Sequence, residues 1–240
     1  MELIPIRLTY NFNDQEVILH PTIIKAEEGM WLVDCGYEGS LSMIKDEFSK
    51  RGLKMEDLDG VIISHDDIDH LGALKEIKDA FPWIKVYSSD IEAPYVSGYL
   101  KSLRLQQAED LFPSLPEEHR AWATAFQAQL RSVKRVPVDQ TFSIDEIFSK
   151  GIQIINTPGH TPGHISIYLP DLKILIASDA IVIGNGELGI ANPQFCLDLH
   201  EAKNSVKKLS ALEIEIMVCY HGGIETVDIS TKLLRLISGI

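Results

Sequence analysis

The sequence has few cysteines and no paired arrangement of them. Cys35, Cys196 and Cys219 are the three cysteines among 240 residues, and none belongs to a CxxC motif. An odd number of widely spaced cysteines argues against a disulfide framework and indicates buried thiols. Residues 1–7 also lack the features of an export signal, because Glu2 stands where positive charge is typical and no apolar stretch follows. We therefore expect a cytoplasmic protein.

The sequence also lacks a hydrophobic run long enough to cross a bilayer. The longest apolar stretch, Leu172 to Gly184, is interrupted by Lys173, Ser178 and Asp179. A membrane span needs roughly 18 or more apolar residues in succession. No membrane-spanning segment is expected.

Positive charge is scarce as well. The chain has 22 lysine and arginine residues against 35 aspartate and glutamate residues, which gives a net charge of -13 and an isoelectric point near 5.0. Such a surface repels phosphate backbones and anionic lipids. We therefore exclude nucleic acid and membrane surfaces as partners and expect a small-molecule substrate, while the sequence indicates no particular oligomeric state.

What the sequence does contain is enough apolar material for a substantial core. Hydrophobic residues make up 45% of the chain, and the mean hydropathy is +0.02, which excludes a disordered protein. No linker rich in proline, glycine or serine divides the sequence. We expect a single domain over residues 1–240.

The hydrophobic periodicity predicts an α/β fold. Runs rich in valine and isoleucine predict strands at about residues 16–26, 30–34, 60–63, 84–87, 152–156, 165–169, 173–178 and 215–219. Amphipathic spacing predicts helices at Leu41–Arg51, His70–Phe81, Leu199–Leu209 and Ser230–Ile237. Hairpins come first and strands then alternate with helices, in two similar halves. Several strands have no polar face, which predicts sheets covered by helices.

A helical insertion is expected at about residues 88–131. Its predicted helices, Tyr95–Leu111 and Glu117–Arg131, are separated by Phe112–Pro116. Trp122, Phe126 and Leu130 form an apolar stripe on the second helix, and Tyr95, Tyr99 and Leu103 lie on the first. Two interpretations stay open: a helix pair packed on the core, or a lid that sets substrate choice.

The densest chemical signal follows the strand at 60–63. His65, Asp66, Asp67, Asp69 and His70 are five potential metal ligands within six residues. A tight loop can direct such near-consecutive side chains toward one point. The alternative is a solvated, charged turn in which Asp69 caps a helix and Asp67 faces solvent.

Three further strand ends carry ligand types. His160 and His164 lie in the turn Thr157–His164, Asp179 follows the strand at 173–178, and His221 follows the strand at 215–219. Together with the first cluster, these motifs contain five of the eight histidines. The pattern predicts a metal site, with His164 supporting it rather than ligating, and gives His20, His119 and His200 no role.

These residues resemble the metallo-β-lactamase superfamily of metallohydrolases. The superfamily motif HxHxDH is followed by a TPGH-like turn, a bridging aspartate and a late histidine, and the likeness here runs from about Val17 to Gly223. Trp31–Gly36 resembles the superfamily's LVDTG hairpin end, with Cys35 at the threonine position. The TPGH turn and Glu92–Tyr95 are most similar to glyoxalase II-type thioesterases and lactone hydrolases. The resemblance implies a four-layer αββα sandwich of two β-sheets flanked by helices.

The resemblance also implies a dinuclear metal centre. Two divalent ions, with zinc first and manganese or iron as alternatives, would lie about 3.5–4 Å apart and hold a hydroxide that attacks the substrate. Asp69 would act as the catalytic residue that accepts and returns the proton. The implied ligands are His65, Asp67 and His160 at site one, Asp69, His70 and His221 at site two, and Asp179 as the bridge.

The sequence departs from the superfamily pattern in two places. Asp67 replaces the second histidine, so that HxHxDH becomes HxDxDH. Three carboxylates against two divalent ions and one hydroxide leave no net charge, which predicts a weaker Lewis acid. The second departure is that no tyrosine follows Asp179 closely, although lactone hydrolases of the superfamily often have one. Tyr95 or Tyr220 would have to replace it.

The function expected from the resemblance is hydrolysis of a small ester, thioester or lactone by a dinuclear metal-dependent enzyme. Residues that bind the substrate are not identified by the sequence. One alternative is an iron-dependent oxidoreductase related to sulfur dioxygenases or with a flavodiiron-like site, which the extra oxygen ligand Asp67 suggests. Another is a metal-binding sensor without turnover.

Overall fold

A computed structural model describes residues 1–12, 15–143 and 145–239 of the chain. Its strands are β1 Glu2–Pro5, β2 Leu8–Phe12, β3 Gln15–Leu19, β4 Thr22–Lys25, β5 Met30–Val33, β6 Gly60–Ile62, β7 Lys85–Ser89, β8 Gln140–Phe142, β9 Ile147–Ser149, β10 Ile152–Asn156, β11 Ile165–Leu169, β12 Ile174–Ser178, β13 Val182–Gly184, β14 Glu187–Gly189, β15 Ile216–Cys219 and β16 Gly223–Glu225. Its α-helices are α1 Leu41–Lys50, α2 Ile68–Leu71, α3 Leu74–Ala80, α4 Ala93–Val96, α5 Leu103–Leu111, α6 Glu117–Ser132, α7 Leu199–Leu209 and α8 Ile229–Gly239.

The strands form two six-stranded sheets. The order is β1-β4-β5-β6-β7-β8 in the N-terminal sheet and β16-β15-β12-β11-β10-β9 in the C-terminal sheet. Neighbours from β5 to β8 are parallel, as are β12 and β15, while the remaining pairs within these sheets are antiparallel. Separate hairpins are formed by β2 with β3 and by β13 with β14. Each half therefore contributes one sheet.

Alternating side chains on the strands divide the interior into three apolar cores. On β6, Ile62 faces the core between the two sheets, whereas Val61 and the following Ile63 face the core beneath α1 and α3. On β12, Leu175 faces α7 and α8 while Ile176 faces the other sheet. Because successive strand residues point to opposite faces, strands apolar on both faces must be covered on both. The layers are helix, sheet, sheet and helix, which confirms the predicted αββα sandwich.

Several predicted elements are divided in the structure. The strand predicted at 16–26 is two strands separated at His20 and Pro21, because proline cannot donate to a sheet ladder. The helix predicted at Tyr95–Leu111 ends at Val96 and resumes at Leu103. Gly98 between them has φ +78°, outside the helical region, and Ser102 caps the second segment by accepting a hydrogen bond from Leu105 N.

The predicted helix His70–Phe81 also differs, since it is two helices, α2 and α3, with a break at Gly72 and Ala73. Among the described residues, no helix combines the length and the apolar content needed to cross a bilayer. The three cysteines are unpaired and buried. The thiol of Cys35 donates to the carbonyl of His70 at 3.2 Å. It therefore contacts the loop that carries the predicted ligands His65 to His70, which we call the ligand loop.

Candidate metal centre

The strand ends singled out by the sequence meet at one edge of the sandwich. Strands β12 and β15 are parallel neighbours with Ser178 opposite Cys219, so the residues just beyond them, Asp179 and His221, emerge side by side. The loop after β6, in the facing sheet, carries His65 to His70, and the turn after β10 carries His160. Parallel strand ends at a common edge are where α/β folds place their functional loops.

The structure brings all the predicted ligands into one cluster. Their donor atoms form three overlapping groups, in each of which the atoms lie within 4.8 Å of one another. The groups are His65, Asp67 and His160; His65, His70 and Asp179; and Asp69, His70 and His221. The first and third coincide with the predicted site one and site two.

Asp179 lies between the two sets. Its Oδ1 is 3.3 Å from His70 Nε2 and 3.4 Å from His221 Nε2, while its Oδ2 is 3.6 Å from His160 Nε2. One carboxylate oxygen therefore faces each set, which is the geometry required of a bridging ligand. Asp69 belongs to the third group, and its Oδ2 lies 3.2 Å from His221 Nε2.

Asp34, which the sequence analysis gave no role, anchors the ligand loop from below. Its Oδ2 lies 2.9 Å from His70 Nδ1, and its Oδ1 accepts from the Ser64 amide at 2.8 Å. Because the carboxylate accepts, Nδ1 of His70 carries a proton, and Nε2 is the ring nitrogen directed at the cluster. The signal available in the sequence was its place at the end of a buried strand, in Trp31–Gly36.

Ser64 extends the same support to His65. The Ser64 hydroxyl donates to Asp34 Oδ2 at 2.8 Å and accepts from His65 Nδ1 at 2.9 Å. Nε2 of His65 is thereby left as an acceptor toward the cluster.

His164 plays a different part: its Nε2 accepts from the Asp179 amide at 3.1 Å, and its Nδ1 lies 2.8 Å from Thr157 Oγ1. It positions the Asp179 backbone and lies outside the three ligand groups.

The turn that carries His160 depends on a close backbone approach. A Cβ at Gly159, which has φ +134°, would lie 2.2 Å from the amide nitrogen of Ala202 on α7. Only glycine fits there, because any side chain would push α7 away. The Asp198 and Leu197 amides donate to the Gly159 and His160 carbonyls at 2.8 and 3.2 Å. His160 Nε2 is thus held 2.9 Å from Asp67 Oδ2.

The electrostatics of the cluster favour cations. Burial opposes ionisation, yet pairing with histidines holds the pKa of Asp179 well below its usual range, and pairing with Arg104 does the same for Asp67. Conversely, burial lowers the pKa of His221, but Asp179 and Asp69 outweigh it and raise the value to about 10. Asp67 and Asp179 are buried and Asp69 is half-buried, so the cluster holds three ionised carboxylates whose charge has to be balanced by cations.

The cluster also contains buried nitrogen and oxygen atoms that could ligate a metal and have no hydrogen-bond partner. Among the described residues, these include His65 Nε2, His70 Nε2 and Asp179 Oδ1. Buried polar atoms are normally satisfied, so a group of them around one point calls for a ligand. Imidazole nitrogens combined with carboxylate oxygens match the preferences of zinc, manganese and iron. The donor set therefore fits divalent metal ions.

Arg104, which the sequence analysis did not identify, is part of the cluster. Its Nε donates to Asp67 Oδ1 at 3.0 Å and its Nη2 donates to Asp67 Oδ2 at 2.7 Å. Asp67 is 9% exposed and faces the cluster, so the solvent-facing alternative is wrong. Arg104 lies in the first turn of α5 and is 4% exposed. The only signal in the sequence was the presence of an arginine within a predicted helix.

The cluster forms the floor of a cavity of about 410 Å³. Its walls are mostly apolar and include Phe126, Leu130, Val182, Ile183 and Phe195. The segment predicted as an insertion thus contributes two residues of the stripe to the cavity. Trp122 does not line it; that side chain is 62% exposed and stacks on Phe126 with ring centroids 5.3 Å apart.

The two tyrosines expected to assist catalysis do not line the cavity either. Tyr220 is buried, donates to the Asp69 carbonyl at 2.5 Å and accepts from the Gly36 amide at 3.0 Å, so it supports the loop. Tyr37, not Tyr95 or Tyr220, lines the cavity. Burial and the carboxylates of Asp69, Asp179 and Asp67 raise the pKa of Tyr37, which keeps its hydroxyl protonated.

The sequence matches known proteins over the region that carries these residues. A family model described as the metallo-beta-lactamase superfamily matches residues 20–221. A probable metallo-hydrolase of Bacillus subtilis, YflN, is 30% identical over 210 residues, which cover 80% of this chain and 74% of that protein. The hydroxyacylglutathione hydrolase GloC of Haemophilus influenzae is 23% identical over 208 residues, 84% of each chain.

A solved structure shows the same fold. The metallo-beta-lactamase family protein TTHA1429 from Thermus thermophilus superposes with a TM-score of 0.75 at 17% sequence identity, over 99% of this chain and 78% of that one. At this identity the likeness establishes architecture and topology alone.

The position of Asp179 between the two sets of candidate ligands gives a direct test. We expect Asp179→Ala to retain no divalent ion under conditions that load the wild-type protein, because its two oxygens face both ligand sets. Metal content after dialysis, measured by inductively coupled plasma mass spectrometry, checks this. Asp171→Ala, an exposed aspartate on the same half of the chain, is the matched control. Full metal retention by the Asp179 variant would contradict the assignment.

Proposed function

Because the chain belongs to the metallo-beta-lactamase superfamily and is a metal-dependent hydrolase, we propose that it hydrolyses a small ester, thioester or lactone at the candidate metal centre. The observation that carries this proposal is the convergence of three carboxylates and four histidines in one cluster, of which the carboxylates, His160 and His221 line a largely apolar cavity. A hydrolytic centre of this kind needs no serine or cysteine nucleophile.

The ligand groups support two ion positions. His65, Asp67 and His160 would hold one ion, Asp69, His70 and His221 the other, and Asp179 would contact both. Zinc is the expected metal because its affinity for mixed nitrogen and oxygen sites exceeds that of manganese or iron. When bound, such ions polarise a carbonyl oxygen and lower the pKa of water enough to supply hydroxide at neutral pH.

Asp69 is the proposed proton carrier. Its carboxylate lines the cavity and lies 3.2 Å from His221 Nε2. Although burial raises its pKa, His70 and His221 lower it below the usual value, so that the group is ionised at neutral pH. An ionised carboxylate at this place can accept a proton from water and return it to the leaving group.

Tyr37 is the proposed hydrogen-bond donor to the substrate. It lies on the cavity wall beside Ile68 and Asp69, and its raised pKa keeps the phenol protonated. A neutral donor there can stabilise the negative charge that develops on the carbonyl oxygen. In this proposal, Tyr37 takes the part that the sequence analysis gave to Tyr95 or Tyr220.

The cavity supports an acyl substrate. Phe126, Leu130 and Phe195 offer apolar surface above the ligands, which suits an alkyl or aryl substituent. The hydroxyacylglutathione hydrolase name of a relative that aligns over 84% of both chains favours the thioester among the three substrate types.

A substrate screen tests the proposed function. Protein loaded with zinc should hydrolyse acyl thioesters, simple esters or lactones, and chelation should abolish the activity. Protein loaded with iron instead of zinc should take up no oxygen when it is supplied with a persulfide. Metal-dependent oxygen uptake with no hydrolysis of any of the three substrate types would contradict the proposal.

The cavity wall predicts a change in substrate preference. Phe126→Ala should lower kcat/KM for long acyl chains relative to short ones by roughly 10–200-fold, because an apolar wall contact is lost. Trp122→Ala is the matched control, since Trp122 packs on Phe126 from outside the cavity and should leave the ratio unchanged. If wild type and Phe126→Ala, with metal content intact, gave the same ratio of kcat/KM for long over short acyl chains, the cavity wall would not contact the acyl group.

A further inference from the structure

We propose that the guanidinium of Arg104 competes with the metal ion at site one, so that site two fills first and site one binds its ion more weakly. This inference rests on the proposed function, because it takes both ligand groups as ion positions. Arg104 lies outside the HxDxDH motif, and in this proposal it controls the order in which the two sites bind metal.

The guanidinium lies where an ion at site one would have to bind. Its Nη2 is 2.7 Å from Asp67 Oδ2 and 3.2 Å from His160 Nε2. These are two of the three donor atoms of the group His65, Asp67 and His160. A cationic nitrogen this close to both atoms occupies an Asp67 lone pair that the ion needs and repels the ion itself.

Arg104 is held firmly in this position. Its Nη1 donates to Gln107 Oε1 at 2.5 Å, one helical turn along α5, and its guanidinium carbon lies 5.1 Å from the centroid of the Phe195 ring. The two parallel hydrogen bonds to Asp67 fix its plane. A planar guanidinium restrained on three sides cannot leave Asp67 without breaking several contacts at once.

Site two has a different set of neighbours. The ion pairs of the Asp69 and Asp179 carboxylates, within the described residues, are to histidines. His70 is supported from behind by the Asp34 carboxylate, which strengthens Nε2 as a ligand. An ion entering site two therefore has no guanidinium to displace, whereas an ion entering site one must displace or share the contacts of Arg104.

The charges of Asp67 and Arg104 explain why the two residues occur together. Asp67 stands where the superfamily motif has a neutral histidine, and it brings a negative charge into a buried cluster. Arg104 returns the pair to neutrality through two hydrogen bonds. The attraction that Asp67 would exert on an ion is thereby largely cancelled, which places site one at a disadvantage relative to site two.

Zinc titrations of metal-free protein in competition with a chromophoric chelator test this inference. Wild-type protein should show two classes of site with different dissociation constants. In Arg104→Met, the weaker class should tighten by roughly 10–100-fold, the range in which residues contacting metal ligands alter affinity, while the tighter class stays unchanged. Arg104→Lys, which keeps the positive charge but loses the two-point contact with Asp67, should tighten the weaker class less than Arg104→Met does.

Arg135→Met is the matched control. Arg135 pairs with Asp66, the neighbouring carboxylate of the same loop, and its side chain is 15% exposed. This variant removes a comparable buried pairing that does not reach the ligand atoms, so both classes should keep their wild-type affinities. Thermal unfolding of each variant confirms that the titrated protein is folded.

The outcomes separate the inference from the proposed function. If neither wild type nor Arg104→Met binds zinc, the proposed function fails. If zinc binds but both proteins give the same two constants, or the weaker class weakens further in Arg104→Met, the competition is wrong and the proposed function stands. Unchanged constants with a raised KM for carboxylate-bearing substrates would make Arg104 a substrate-binding residue instead, which also overturns the inference.

Discussion

Three carboxylates, Asp67, Asp69 and Asp179, lie together in a largely buried cluster, and they stay ionised only because positive charge surrounds them. Ionised groups are costly to bury unless they are paired. Here the pairing is shared among His70, His160 and His221, with Arg104 on one flank. The cluster is a candidate cation site, and the remainder of the fold positions its members.

The sandwich delivers these groups from independent elements. Asp179 and His221 follow parallel neighbours in the C-terminal sheet, while His65 to His70 follow β6 in the facing sheet. The apolar core between the sheets fixes the distance between these edges. Support from behind comes from Asp34, which directly follows β5, and from His164, which directly precedes β11. Asp34 is hydrogen-bonded to His70, and His164 to the Asp179 backbone. Geometry at the site therefore depends on strand register.

Much of this arrangement could be predicted from residue order. The apolar runs around Val61 and Leu175 predict strands covered on both faces, and ligand types at successive strand ends predict their convergence. Arg104 could not be found in this way, because a helical pattern does not show which residue of α5 turns inward. Tyr37 was missed for a similar reason, since its place on the cavity wall depends on how a loop packs. Short strands such as β13 and β16 carry too few residues for a periodic signal.

A crystal structure of zinc-supplemented protein, with anomalous data at the zinc edge, decides whether this cluster binds divalent metal. We expect an anomalous peak about 2.0–2.2 Å from Nε2 of His70 and of His221 and from a carboxylate oxygen of Asp69 or Asp179. A well-ordered cluster without a peak, or a peak confined to other residues, would contradict it.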